Sequence, residues 1–214
     1  MRMIALVDYG SGNIHSAERA LRAASNAAKK TREIRVTSDP AAIANADRIV
    51  LPGVGHYADC RAGVDARDGV LQALEDAVIR RGVPFLGICV GMQLMATRGL
   101  EDGETTGFDW ISGDVAEIAP GEGLRVPHMG WNALEVRGQH PVLDGLGDDP
   151  HAYFVHSYAF ADAGSDHVAA VTDYGGPLVA AVARDNMFGT QFHPEKSQAV
   201  GLKLLSNFVL WDPS

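Results

Sequence analysis

The chain predicts an α/β fold: a parallel sheet with helices on both faces, extended by antiparallel strands. In the first half, short apolar runs alternate with segments of helical spacing. Parallel strands need long crossovers, usually helical, so this alternation implies a sheet buried on both sides. In the second half, strand-like runs follow one another, separated by Gly, Asp and Pro, as in antiparallel connections. A third observation places function on this frame. Gly87-Ile88-Cys89-Val90-Gly91 follows a strand and precedes a helix, so one nucleophile stands at the carboxyl end of the sheet, where such folds bind ligands.

The elements follow in order. Met3 to Val7 reads as the first strand, and Met1-Arg2 before it is too short for a signal sequence. Ile14 to Ala28 has helical spacing with Leu21 on its apolar side, and Ile34 to Thr37 is a second strand. Ser38-Asp39-Pro40 opens a short helix through Ala44: Asp caps the end, and Pro is tolerated where no N–H is needed. Arg48 to Leu51 is a third strand, Val70 to Arg81 a helix, Val83 to Ile88 a fourth strand and Val90 to Thr97 the following helix. Strand candidates are then Ile111 to Ile118, Trp131 to Val136, Tyr153 to Phe160, Val168 to Thr172, Leu178 to Arg184 and Phe188 to Phe192. A final helix, Ser197 to Leu210, carries Leu202, Leu205 and Val209 on one face.

Bulk properties narrow the function classes. With 214 residues, 46% hydrophobic and 21% charged, a single domain over 1–214 with a sizeable core is expected. The net charge of −9 argues against nucleic acid as a partner. The one basic cluster, Lys29-Lys30-Thr31-Arg32, reads as a solvated helix end. Two cysteines make no disulfide framework and fit a reducing cytoplasm; no apolar run reaches membrane-spanning length. His128, His140, His151, His156 and His167 are scattered, so no metal site is expected. Asp8-Tyr9-Gly10-Ser11-Gly12-Asn13 follows the first strand, but His15 stands where a dinucleotide fingerprint needs its third glycine. No cofactor is expected.

Cys89 is the candidate nucleophile. The flanking glycines permit a strand-to-helix turn too sharp for side chains, and the helix start offers N–H groups to a thiolate. Cys60, without such glycines, reads as structural. A base is available in Gln191-Phe192-His193-Pro194-Glu195. Pro194 keeps His193 extended, and alternate side chains of an extended segment share a side, so Glu195 can orient the imidazole. A Cys-His-Glu triad results.

The Cys89 elbow and His193-Pro194-Glu195 resemble the class I glutamine amidotransferases. Leu51-Pro52-Gly53-Val54-Gly55, Pro127-His128-Met129-Gly130-Trp131-Asn132 and Tyr153-Phe154-Val155-His156-Ser157-Tyr158 carry a narrower resemblance within them. Among these, the resemblance is to glutaminase subunits of imidazole glycerol phosphate synthases, and it covers nearly the whole length. The segment Lys29 to Glu33 departs from the pattern but touches no matched motif. The resemblance implies a three-layer, flavodoxin-like fold and hydrolysis of glutamine by Cys89, His193 and Glu195. Backbone N–H groups of Val90 and Val54 would be the oxyanion donors, and the glycines around Val54 permit a peptide flip. Gly55, Gln93 and the His156-Ser157-Tyr158 backbone would bind glutamine. Glu101 would accept its ammonium, although Asp102 and Glu104 are equally close in sequence.

The implied partner is a (β/α)8-barrel cyclase in a heterodimer. It would receive the ammonia and make imidazole glycerol phosphate and an aminoimidazole carboxamide ribotide for histidine biosynthesis. Contact candidates are Asn13, Trp131 and Lys196; Trp131 reads equally as a core anchor and Lys196 as a solvated lysine. Three other functions stay open: a glutaminase serving a different synthase, a Cys-His hydrolase of the same fold, and a non-catalytic interaction subunit.

Overall fold

Met3–Val7 is apolar throughout, and the computed structural model makes it β1, buried at all five residues. The structure describes residues 2–121 and 123–213; Met1, half of the short Met1-Arg2 lead-in to the first strand, lies outside them. The chain continues as α1 (Ile14–Ala27), β2 (Glu33–Thr37), α2 (Pro40–Ala44), β3 (Arg48–Gly53), α3 (Tyr57–Asp65) and α4 (Val70–Glu75), then β4 (Phe85–Cys89) and α5 (Val90–Gln93). The strands β5 (Arg98–Gly99), β6 (Thr105–Thr106), β7 (Asp114–Glu117), β8 (His128–Ala133), β9 (Glu135–Val136), β10 (His151–His156) and β11 (Tyr158–Phe160) follow. The last elements are β12 (Val168–Asp173), β13 (Pro177–Arg184), β14 (Met187–Thr190) and α6 (Gln198–Leu210).

Eight strands form the main sheet in the order β2-β1-β3-β4-β14-β13-β12-β9. The first five are mutually parallel; β13, β12 and β9 continue antiparallel. β1, β3, β4 and β14 are buried at every residue, which requires cover on both faces. The antiparallel extension is thus present, although not every second-half strand joins it. β8 pairs with β10, and β11, β7, β5 and β6 form a third sheet. The predicted strand Tyr153 to Phe160 breaks at Ser157, which lets its two halves join different sheets.

Local chemistry explains the helices. The Asn13 side chain accepts from the Ser16 N–H at the start of α1, whose buried Ala17, Leu21, Ala24 and Ser25 recur at helical spacing. Asp39 caps α2 in front of Pro40, as expected. Four expectations need correction. The helix from Val70 changes to π-helical geometry over Asp76–Arg80, with Arg81 N–H bonded to the Asp76 carbonyl. The helix after Cys89 stops at Gln93, because carbonyls of Leu94, Met95, Ala96 and Thr97 accept from N–H groups of residues 107–111. Leu202 is exposed: α6 buries Leu204, Leu205, Phe208 and Val209 instead. Arg32 does not solvate a helix end but is buried, unlike Lys29, Lys30 and Thr31. Helix α3 had no sequence signal.

The fold brings three adjacent parallel strands to a common edge. Gly53 at the end of β3 is in register with Cys89 at the end of β4, and Thr190 at the end of β14 with Ile88. Whatever follows these strands faces one place.

Candidate active site

Cys89 closes β4 with φ +54° and ψ −113°, a backbone conformation that side chains rarely adopt. The turn is possible only because its neighbours lack side chains. A Cβ on Gly87 would come 2.6 Å from the Gly91 carbonyl oxygen, and one on Gly91 would overlap the Leu51 carbonyl oxygen. The helix behind the cysteine is a single turn, so little macrodipole supports a thiolate. The sulfur therefore depends on neighbouring side chains.

His193 supplies the first. Its N–H donates to the Tyr153 carbonyl at 2.9 Å, and its carbonyl accepts from Ser197 Oγ at 2.7 Å, which fixes the backbone. It is extended, as Pro194 demands, but Pro194–Lys196 then form a 3-10 turn in place of the expected extended run. That turn still brings Glu195 Oε1 to 2.8 Å from His193 Nδ1. Burial pushes the imidazole pKa down, while hydrogen bonds with Cys89 and Glu195 push it up and prevail, raising it to about 9.

A cavity of about 520 Å³ opens at this edge. Its lining includes Asn13, Val54, Gly55, Cys89, Val90, Gln93, Glu101, His156, Ser157, Tyr158, His193 and Lys196. Thus all the sequence-predicted residues except Glu195 and Trp131 line one space. Glu195 lies behind His193. Trp131 is not a core anchor: it is 48% exposed on β8, edge-on to Tyr153 at 6.0 Å. Lys196 Nζ lies 5.8 Å from the centroid of the same ring. Of the three acids, Glu101 faces the cavity and also accepts from the Tyr57 N–H at the start of α3. Asp102 pairs with His56 and Glu104 with Arg98.

Two residues lie inside motifs quoted from the sequence, but the sequence assigned neither a role in the site. Ser11 Oγ donates to the Val54 carbonyl at 2.6 Å and lies 3.4 Å from the Val54 N–H, so the expected oxyanion donor is engaged with a hydroxyl. Cys60, buried on α3, stands 3.1 Å from the same hydroxyl and does not line the cavity. The second is Gln191, wholly buried, with Nε2 3.7 Å from Cys89 Sγ. Its only sequence signal is its place two residues before His193. Among the described residues, no cluster of His, Cys, Asp or Glu could hold a metal ion, and no helix is long and apolar enough to cross a membrane.

The model of the family "Glutamine amidotransferase class-I" matches residues 5–211. The chain is 55% identical to "Imidazole glycerol phosphate synthase subunit HisH" of Brucella abortus (strain 2308), with 98% of this chain and 99% of the relative covered. It is 56% identical to the protein of that name from Mesorhizobium japonicum, with the same coverage, and 53% identical to that from Caulobacter vibrioides over the whole of both. The fold matches a crystal structure described as a glutamine amidotransferase with a TM-score of 0.68 and 18% identity, covering 92% of this chain and 94% of that one. It also matches a glutamine amidotransferase from Thermotoga maritima with a TM-score of 0.59 and 15% identity, covering 91% and 76%.

Proposed function

The chain belongs to the class I glutamine amidotransferases, and from that premise we propose that Cys89 hydrolyses glutamine and that the ammonia passes to a partner protein. Its activity is that of the glutaminase subunit of imidazole glycerol phosphate synthase, in histidine biosynthesis. The single observation that carries the residue-level reading is the cavity, where Cys89 and His193 meet every glutamine-binding candidate.

The chemistry follows from the groups present. The Cys89 thiolate attacks the side-chain amide carbon of glutamine. As the tetrahedral intermediate collapses, the C–N bond breaks and His193 gives its proton to the leaving nitrogen, so ammonia departs and a γ-glutamyl thioester remains. His193 then takes a proton from water, the hydroxide attacks the thioester, and the C–S bond breaks to give glutamate and free Cys89. Glu195 holds the imidazole throughout. The negative oxygen of both steps meets the N–H of Val90 and that of Val54 once Ser11 releases it. Gln93, Gly55 and the His156-Ser157-Tyr158 segment seat the substrate, and Glu101 receives its ammonium. No cofactor enters any step.

The partner is a (β/α)8-barrel cyclase in a cytoplasmic heterodimer, and residues 1–214 act as one glutaminase domain. Exposed Trp131 and Lys196 both pack on the Tyr153 ring, and Lys196 lines the cavity together with Asn13, which supports an interface at this mouth. The test is glutamate release by the chain alone, with the cyclase, and with cyclase plus its ribotide ligand. Stimulated release that Cys89→Ala abolishes is expected. Equal release in all three mixtures would instead indicate a self-sufficient hydrolase.

A further inference from the structure

Gln191 comes directly after β14, and its amide bridges two groups already assigned roles. Oε1 accepts from Gln93 Nε2 at 3.1 Å, and Nε2 faces Cys89 Sγ at 3.7 Å. An amide's two ends have the same shape, so its sense must be set by its partners. Here they set it without ambiguity. The Tyr158 carbonyl can only accept, so the end of Gln93 that lies 2.8 Å from it carries N–H groups. The same nitrogen touches Gln191, whose facing atom must then be oxygen. The opposite end of Gln191, turned to the sulfur, is therefore an N–H donor.

The Tyr158 carbonyl is itself held. His156 Nδ1 lies 3.0 Å from it and must carry a proton, which leaves His156 Nε2 as an acceptor. His128 Nδ1 donates to that nitrogen at 3.0 Å, and His128 Nε2 accepts from Asn132 Nδ2 at 3.3 Å. With one proton on each ring, every link joins a donor to an acceptor. No link tolerates reversal.

We propose that Gln191 is a catalytic residue, whose Nε2–H donates to the Cys89 thiolate and is kept in that sense by Gln93 and the Tyr158 carbonyl. The inference rests on Cys89 as nucleophile. It supplies what the single-turn helix α5 does not: a fixed, buried donor on the side of the sulfur. Hydrogen bonding to the charged form favours that form, so loss of this donor should suppress thiolate at neutral pH.

The experiment is iodoacetamide alkylation of the full chain across pH 5–9, followed by peptide mapping to separate Cys89 from buried Cys60. Gln191→Leu removes the donor. Gln191→Glu keeps the size and the acceptor for Gln93 but puts a carboxylate oxygen against the sulfur. Both should displace the Cys89 alkylation profile to higher pH, with the rate at pH 7 falling by roughly tenfold for Leu and further for Glu. Circular dichroism checks folding, and Gln191→Glu serves if Leu does not fold. In unaltered protein, the side-chain amide protons of Gln191, followed by NMR with ¹⁵N-labelled glutamine, should shift on Cys89→Ser. An unchanged alkylation profile in a folded variant, or unmoved amide resonances, would overturn the proposal. Glutamate release by the unsubstituted chain with its cyclase is measured on the same material. Its absence, with the alkylation shift intact, would sink the glutaminase reading and leave the contact standing.

Discussion

His193 Nδ1 stands 2.8 Å from Glu195 Oε1, and both side chains are almost sealed from solvent. The contact fixes which ring nitrogen carries the proton, leaving Nε2 for exchange with sulfur and substrate. His193→Asn should cost about 10²–10⁴-fold in turnover, because one ring performs both proton transfers. Glu195→Gln should be milder, since it only orients that ring. Steady-state glutamate release with the cyclase decides the order; a larger loss in Glu195→Gln than in His193→Asn would reverse the roles.

The same pair sets a pH dependence. With its pKa raised to about 9, His193 stays protonated through neutrality and loses its proton above that. Its interactions therefore contribute stability below its unfolded pKa of about 6.5, and that contribution disappears as pH rises through about 9. Turnover that needs an imidazolium to protonate ammonia should decline over the alkaline range. Glu195→Gln removes one of the influences that raise the pKa, so its alkaline limb should move to lower pH. A pH–rate profile identical to the unsubstituted enzyme would contradict this.

His156 titrates in the opposite sense. Burial lowers its pKa to about 4, so between about 6.5 and 4 the unfolded chain binds a proton that the folded chain refuses. Stability from this group is present above 6.5 and drains away as pH falls toward 4; burial moves His128 and His140 the same way. Urea midpoints should fall across that window. His156→Gln, which cannot titrate, should flatten the slope. An equally steep slope in the variant would assign the acid sensitivity elsewhere.

The elbow was legible because its demand is local: Gly87 and Gly91 stand where any Cβ strikes backbone. Asp39-Pro40 was legible for the same reason. What the sequence concealed depends on distant partners. The short α5 results from residues 107–111 taking the carbonyls of residues 94–97, which no helical periodicity reveals. Leu202 shares the spacing of Leu205 and Val209, but the packing on α6 leaves it outside. Ser11 and Gln191 act on Val54 and Cys89, 43 and 102 residues away in the chain. Trp131 could not be told from a core aromatic until β8 was seen in a separate sheet with β10.

Gly91→Ala tests the elbow directly. Its Cβ would overlap the Leu51 carbonyl oxygen, and backbone on both sides must move to admit it. Overpacking typically costs about 1–3 kcal/mol, and a clash with main chain belongs at the upper end or beyond. A clear drop in the thermal midpoint and loss of glutaminase activity are expected. A midpoint equal to that of the unsubstituted chain would mean that the turn is less tight than described.

The last prediction concerns the oxyanion donor. One hydroxyl, that of Ser11, donates to the Val54 carbonyl at 2.6 Å and draws the Val54 N–H at 3.4 Å, so the peptide cannot serve a substrate oxygen while that bond lasts. A missing oxyanion donor typically costs about 10²–10³-fold in turnover, enough to keep the free chain nearly silent. Ser11→Ala leaves the N–H without its partner and removes the hold on the carbonyl. Turnover by the isolated chain should then rise, by at least about tenfold if the donor reaches even part of its worth. Stimulation by the cyclase and its ligand should shrink by a similar factor, since part of what the partner supplies is already present. Glutamine affinity should change little, because the donor acts on the transition state. Gain without the partner separates this reading from a structural role, which predicts only loss. Basal turnover that stays level or falls, with full stimulation retained, would show that Ser11 does not restrain Val54.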